Sequence, residues 1–203
     1  LQYVRAQTFP IVIKADGLAL GKGVTVASTL AEAEQAIEAL FGKRVYGDAG
    51  NRVVIEEYLE GLEISVHALT DGERVLMFPS SKDHKRVGEG DTGPNTGGMG
   101  TIAPVPLVPA EQIELVRTRI VQPLLEALRK RGRLFKGLLF PGIMLTKYGP
   151  MVIEFNARFG DPETESYMRL MESDIVPLLL GSAKGDLSGI DVKWRPCSVA
   201  TVM

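Results

Sequence analysis

The sequence predicts an α+β fold of largely antiparallel sheets with packed helices, on three observations. Short β-branched runs outnumber helical patterns in the first half, Asp-Gly pairs supply tight turns between them, and amphipathic helical segments follow later. FPIVIKA, residues 9–15, is bounded by Pro10 and Asp16-Gly17 and reads as a strand entering a turn. VTVAS, after the loop DGLALGKGV, makes a hairpin candidate with it. TLAEAEQAIEALFG reads as a helix, with Thr29 as its N-cap, Glu32 at the capping-box position and Gly42 as its stop. RVVIEEYL and EISVHALT are two more strands around Glu60-Gly61, and Asp71-Gly72 marks a hairpin into RVLMFPS. The stretch DHKRVGEGDTGPNTGGMG, residues 83–100, is expected to interrupt regular structure as far as Pro109. AEQIELVRTRI through LLEALRKRG is helical, with Pro123 at a kink or break. GLLFPGIMLTK and MVIEFNA read as paired strands, PETESYMRLM and SDIVPLLLGSAK as short helices, and a last strand falls near Ser198. The helices are expected on one face of the sheets.

With 203 residues, 45% hydrophobic and 24% charged, the chain can bury a real core in one large or two small domains. A net charge of -2 and 6% aromatic residues argue against nucleic acid or an anionic membrane as partner. No apolar run has the length of a spanning helix, and the N-terminus lacks a signal-peptide pattern. Cys197 is the single cysteine, so an internal disulfide and a thiolate metal cluster are excluded, and the expected compartment is the cytoplasm. His67 and His84 have no G-x-S-x-G elbow beside them, which leaves a serine triad without its nucleophile motif. Leu1 at the start and SVATVM at the end suggest the middle of a larger protein.

Four stretches hold candidate chemistry. In ADGLALGKGV, glycines 17, 21 and 23 around Lys22 suit backbone N–H groups wrapping a phosphate, and Lys14 adds a second cation. The spacing is not that of a P-loop, since Gly23 rather than Ser or Thr follows Lys22. A hairpin with a solvated lysine is the plain alternative. In VVIEEYLEGLEISV, Glu56, Leu59 and Glu63 offer an extended backbone, an apolar slot and a carboxylate for a nucleoside, although glutamates on strands are most often solvated. In MVIEFNARFGDPETES, Glu154 and Asn156 share a strand face while Ile153 and Phe155 are expected to point into the core. Two adjacent oxygen donors suit Mg²⁺, and Arg158 joins them if the strand continues. The plain alternative is a strand end followed by an N-capping Asp161. Residues 83–100 mix Asp83, His84, Lys85, Arg86 and Asp91 with glycines, which suits a loop whose backbone lies close to a polar, phosphorylated ligand.

Taken in order, IKADGLALGKGV, VIEEYLEGLEISV, DHKRVGEGDTGPNTGGMG and VIEFNARFGDPETE closely resemble the phosphoribosylamine–glycine ligase family of the ATP-grasp superfamily. The resemblance spans essentially the whole chain. It implies an ATP-grasp fold of two subdomains: residues 1–70 as the small lid with phosphate loop and adenine hinge, and residues 71–203 as the large part with substrate loop and metal site. It implies ATP-dependent ligation of glycine to 5-phosphoribosylamine through a glycyl phosphate, in purine biosynthesis, with Mg²⁺ or Mn²⁺. By the same resemblance Lys14, Gly21, Lys22 and Gly23 contact the phosphates, Glu56, Glu57 and Leu59 form the adenine hinge, and Glu63 holds the ribose. Glu154 and Asn156 are the implied metal ligands, and Arg158, Asp83 and Lys85 the implied catalytic groups. Asn95, Thr96, Gly97, Asp161 and Glu163 are implied to face the substrates. The family's N-terminal and C-terminal domains are the expected partners, and ATP binding without full turnover is the expectation for these 203 residues alone. Two rival readings remain, another ATP-grasp carboxylate–amine ligase and a nucleotide-binding module without catalysis.

Overall fold

Alternation in Ile-Val-Ile-Lys-Ala decides the first sheet. The computed structural model describes residues 1–19 and 23–203, which form two compact units, Leu1–Leu59 and Glu60–Met203. In the first, helix α1 (Gln2–Arg5) precedes strand β1 (Ile11–Ala15), the centre of a sheet with β2 (Val24–Ala27) and β3 (Val53–Glu57). Both pairings are antiparallel, with Ile11 opposite Ala27 and Glu57, and the predicted β1–β2 hairpin is present. Ile11, Ile13 and Ala27 are buried together with Val4 of α1 and with Ala33 and Ile37 of helix α2 (Leu30–Ile37). Each isoleucine buried this way contributes about 1.5–3 kcal/mol. Thr29 caps α2 as predicted, its hydroxyl accepting from Glu32 N–H, while the Glu32 carboxylate reaches back to Ser28 N–H at 2.7 Å. The helix then widens into a π-helical turn, Glu38–Gly42, and stops at the predicted glycine.

The strands of the second unit are β4 (Leu62–Ser65), β5 (Ala68–Thr70), β6 (Val75–Met77), β7 (Lys82–Asp83) and β8 (Arg86–Gly88). They continue with β9 (Thr92–Asn95), β10 (Gly100–Ala103), β11 (Gly137–Thr146), β12 (Gly149–Asn156) and β13 (Val199–Val202). The ten-residue β11 organises the largest sheet, pairing antiparallel with β12, β4 and β5, and β5 carries β6 across the predicted Asp71-Gly72 turn. Ala68 and Leu139 pack with Val116 of helix α3 (Ala110–Val116) and Leu125 of α4 (Gln122–Lys130). Their strand neighbours Leu69 and Leu138 pack with Leu170 of α5 (Glu163–Leu170) and Leu178 of α6 (Ile175–Lys184). Helices therefore cover both faces of this sheet, not one. The unbroken apolar run in GLLFPGIML is what two-sided burial requires.

Three further expectations are corrected. The division expected after residue 70 falls between Leu59 and Glu60, because β4 and β5 are hydrogen-bonded to β11. Residues 83–100 are not irregular: β8 and β9 form a hairpin with Arg86 opposite Asn95, and β10 lies between β7 and β13. The hairpin turns where Gly90 and Asp91 both take positive φ, +68° and +60°, so its glycine content serves a turn and not a disordered loop. Pro123 does not break its helix. α3 runs through a π-helical turn, Arg117–Val121, directly into α4, and this widened turn just before Pro123 is the irregularity that accommodates a proline without a backbone N–H inside a continuous helix.

Candidate functional site

In the first unit, cross-strand register puts Val12, Lys14, Val24, Val26, Val54 and Glu56 on the sheet face opposite the one α2 covers. Val24 and Val26 stay 44% and 46% exposed there, an apolar surface beside a charged pair. Lys14 Nζ lies 2.5 Å from Glu56 Oε2, so two residues chosen from separate motifs meet on one face. Glu57 is exposed at the end of β3 and Leu59 is half-buried. Ala15 N–H donates to Gly23 O at 2.8 Å and closes the base of the glycine-spaced loop. A Cβ on Gly23 would stand 2.6 Å from that of Ala19, so close packing already requires this glycine. Gly21 and Lys22 lie outside the described residues.

In the second unit, side chains from four separated segments converge. Lys85 Nζ pairs with Glu63 Oε1 at 2.5 Å. Burial works against the Lys85 ammonium, but Glu63, Asp83 and Glu154 outweigh it and hold its pKa above the usual lysine value. Asp83 is pushed up to about 7, by burial first, then by the Glu163 carboxylate, with Lys85 pulling the other way and Glu63 and Asp161 adding to the rise. Its Oδ1 is buried without a hydrogen-bond partner among the described residues, as is Oγ1 of Thr101, its neighbour across β7 and β10. Glu163 is buried and accepts a hydrogen bond from Ser65 Oγ at 2.6 Å. Asp161 does not cap α5; Pro162 stands at the N-cap with no side-chain bond, so the plain reading of DPETE as a capping sequence fails.

Glu154 and Asn156 share a face as predicted, with Asn156 Nδ2 donating to Glu154 Oε1 at 3.1 Å. Their placement follows a bulge: Gly142 opposes Glu154 but Ile143 opposes Val152, which leaves Ile153 as the extra residue. Phe155 does not point into the core. It sits beyond the bulge on the outermost strand of the sheet and is 45% exposed. The strand ends at Asn156, so Arg158 does not extend the same face; its Nη1 donates to Phe159 O at 2.8 Å and its guanidinium lies 5.8 Å from the centre of the Phe140 ring. A carboxylate and an amide oxygen fit a hard divalent cation. Among the described residues no group of three His, Cys, Asp or Glu side chains could hold a metal, so water and phosphate oxygens would have to complete such a shell.

The segment from Asn95 to Gly97 is exposed, with Thr96 N–H and Oγ1 both donating to Lys85 O. An added Cβ on Gly97 would meet nothing within 4 Å, whereas one on Gly98, at φ +124°, would stand 2.5 Å from Pro162 Cδ and 3.0 Å from Asp83 Oδ1. The glycine that the fold needs is therefore Gly98.

One buried group escaped the sequence reading. His67 is fully buried, its Nε2 lying 3.0 Å from Gly160 N and its Nδ1 3.0 Å from the Tyr167 hydroxyl, which in turn lies 2.6 Å from Ser81 Oγ. A lone histidine inside the apolar run EISVHALT gives no signal of such a network.

No helix among the described residues is long and apolar enough to cross a membrane. The family described as phosphoribosylglycinamide synthetase, ATP-grasp (A) domain, matches residues 1–164. A phosphoribosylamine–glycine ligase from Vigna unguiculata is 48% identical over 100% of the chain, and one from Rhizobium meliloti (strain 1021) is 49% identical over 99%. The chain spans 66% and 47% of those two proteins. The solved phosphoribosylamine–glycine ligase of Thermotoga maritima superposes with a TM-score of 0.88 at 34% identity, covering 99% of this chain and 50% of that one. The motif-bearing segments that converge around Asp83 thus sit in a backbone shared with that ligase, and the chain belongs to the phosphoribosylglycinamide synthetase ATP-grasp domain family.

Proposed function

We propose that this chain is the nucleotide- and substrate-handling part of an ATP-dependent ligase that joins glycine to 5-phosphoribosylamine, yielding glycinamide ribonucleotide, ADP and phosphate in the cytoplasm. The observation that carries the reading is the convergence of Glu63, Lys85, Asp161 and Glu163 on the half-buried Asp83 carboxyl, with Glu154 acting in turn on Lys85. The names of the relatives supply the substrates.

In this reading residues 1–59 form the lid and residues 60–203 the substrate and metal part. The exposed valine face of β1–β3 receives the adenine, with Glu57 and the Leu59 backbone as its edge contacts. Lys14 and the Gly21–Gly23 loop address the phosphates, and Glu63 the ribose. Glu154 and Asn156 would hold Mg²⁺ or Mn²⁺, which neutralises phosphate charge when bound.

A glycine carboxylate oxygen attacks the γ-phosphorus while the bond to the ADP oxygen breaks. The amine nitrogen of phosphoribosylamine then attacks the carbonyl carbon of the glycyl phosphate, phosphate leaves, and the nitrogen gives up a proton. Asp83, poised near neutrality, suits receiving that proton, and Lys85 and Arg158 suit the departing phosphate. The Asn95–Gly97 segment, Asp161 and Glu163 orient the two substrates. Positioning and charge do most of the work, which is why a site without cysteine or a reactive histidine suffices.

The test is titration of the full-length protein with a non-hydrolysable ATP analogue with and without Mg²⁺, beside Glu154→Gln and Asn156→Leu, followed by product assay. Metal-dependent binding weakened at least about tenfold in both variants, with glycinamide ribonucleotide formed by the wild type, supports the reading. Turnover with another carboxylate in place of glycine, or binding indifferent to metal, refutes it.

A further inference from the structure

Gly160 and Glu163 bracket the turn that presents Asp161, and both ends of that turn are tied to Ser65–His67, the segment where β4 passes into β5. A backbone N–H can only donate, so Gly160 makes His67 Nε2 the acceptor at 3.0 Å. The ring proton must then be on Nδ1, and Nδ1–H donates to the Tyr167 hydroxyl. With that bond accepted, the Tyr167 hydroxyl donates to Ser81 Oγ, and Ser81 donates to Ser65 O at 3.3 Å. Every hydrogen in this buried chain has one direction. Phe140 stacks on the imidazole at 4.2 Å and Tyr167 meets its edge at 4.9 Å, so the ring cannot turn over without breaking the packing. Gly160 leaves no slack either, since an added Cβ would stand 2.4 Å from Glu163 Oε2 and 3.0 Å from His67 Nε2.

We propose that His67 is a positioning residue: its Nε2 clamps the Gly160 amide and so sets the turn that places Arg158, Asp161 and Glu163 for the substrates. The inference rests on the ligase reading for the word substrates, and on hydrogen-bond direction alone for the clamp. A protonated ring would aim Nε2–H at Gly160 N–H and release the turn. Burial first, and Arg158 second, keep the ring neutral by lowering its pKa to about 3.

The test uses the full-length protein with His67→Leu, His67→Gln and Tyr167→Phe. His67→Leu should lower kcat roughly tenfold to a hundredfold while leaving nucleotide affinity unchanged, because the turn and not the nucleotide contacts is loosened. His67→Gln, whose amide oxygen can accept from Gly160, should recover most of the loss. In the ¹⁵N spectrum of wild-type histidine, one ring should keep a bare Nε2 and a protonated Nδ1 from about pH 5 to about pH 8, and Tyr167→Phe should disturb it. A folded His67→Leu protein with unchanged kcat overturns the positioning role. A ring that titrates in that range overturns the clamp itself, and this readout decides the matter even if a variant does not fold. A wild type that makes no glycinamide ribonucleotide refutes the ligase reading, while the tautomer measurement still judges His67.

Discussion

Asp83 and Thr101 stand opposite each other across β7 and β10, and each holds a side-chain oxygen buried without a hydrogen-bond partner among the described residues. A carboxylate in that setting favours its proton, and its pKa rises from 3.8 to about 7. Because the folded state binds this proton more tightly than the unfolded chain, the associated stability is complete below about pH 4 and lost as pH rises through about 7. Asp83→Asn should therefore raise the melting temperature at about pH 8, by a few degrees, and change it less at about pH 5. Thermal melts at the two pH values check this, and an equal shift at both would show that another group titrates.

Gly98 and its neighbour separate two kinds of glycine. Gly98→Ala forces a side chain onto positive φ against Pro162 and Asp83 and should cost about 1–3 kcal/mol in urea denaturation. Gly97→Ala meets open space and should change stability by less than about 0.5 kcal/mol. Lost turnover in a stable Gly97→Ala protein would identify that position as a substrate contact.

Asp71 joins the β5–β6 turn to the segment after α6. Its Oδ1 accepts from the backbone of Glu73 at 2.9 Å and Arg74 at 2.7 Å, and its Oδ2 from Leu187 N–H at 2.8 Å. Burial alone would raise its pKa, but these bonds reverse the sign and hold it below 3.8. Asp71→Ala should cost about 2–4 kcal/mol at neutral pH by leaving three amides short of a partner. The difference from wild type should shrink as pH falls below about 4, because the carboxylate's contribution is present above its unfolded pKa and is lost on protonation. Chemical denaturation across that range measures it.

How far the sequence could be read depends on the range of the interaction. The meeting of Lys14 with Glu56 follows from strand alternation plus one pairing, and the capping of α2 by Thr29 is a four-residue matter. The gathering of Glu63, Asp83, Glu154 and Glu163 depends on long-range strand pairing and helix packing, and only family resemblance foreshadowed it. Glycine and charge disfavour strands, so residues 83–100 look like a loop in the sequence; backbone pairing overrides side-chain propensity there. His67 is hidden for the opposite reason, because an apolar run with one polar residue looks like ordinary core.

The hairpin of β8 and β9 leaves from Lys85 and returns at Thr96, where backbone bonds from Thr96 to Lys85 and from Met99 to His84 lock its base. Its tip at Gly90-Asp91 is exposed and makes no part of the β7–β10–β13 framework. The tip can thus be lengthened or recomposed while Asp83 and Thr101 keep their register. The turn at Gly90-Asp91 and the carboxyl buried against Thr101 stand on separable pieces of chain, so the tip is where residues can be inserted without moving the pairing that holds Asp83.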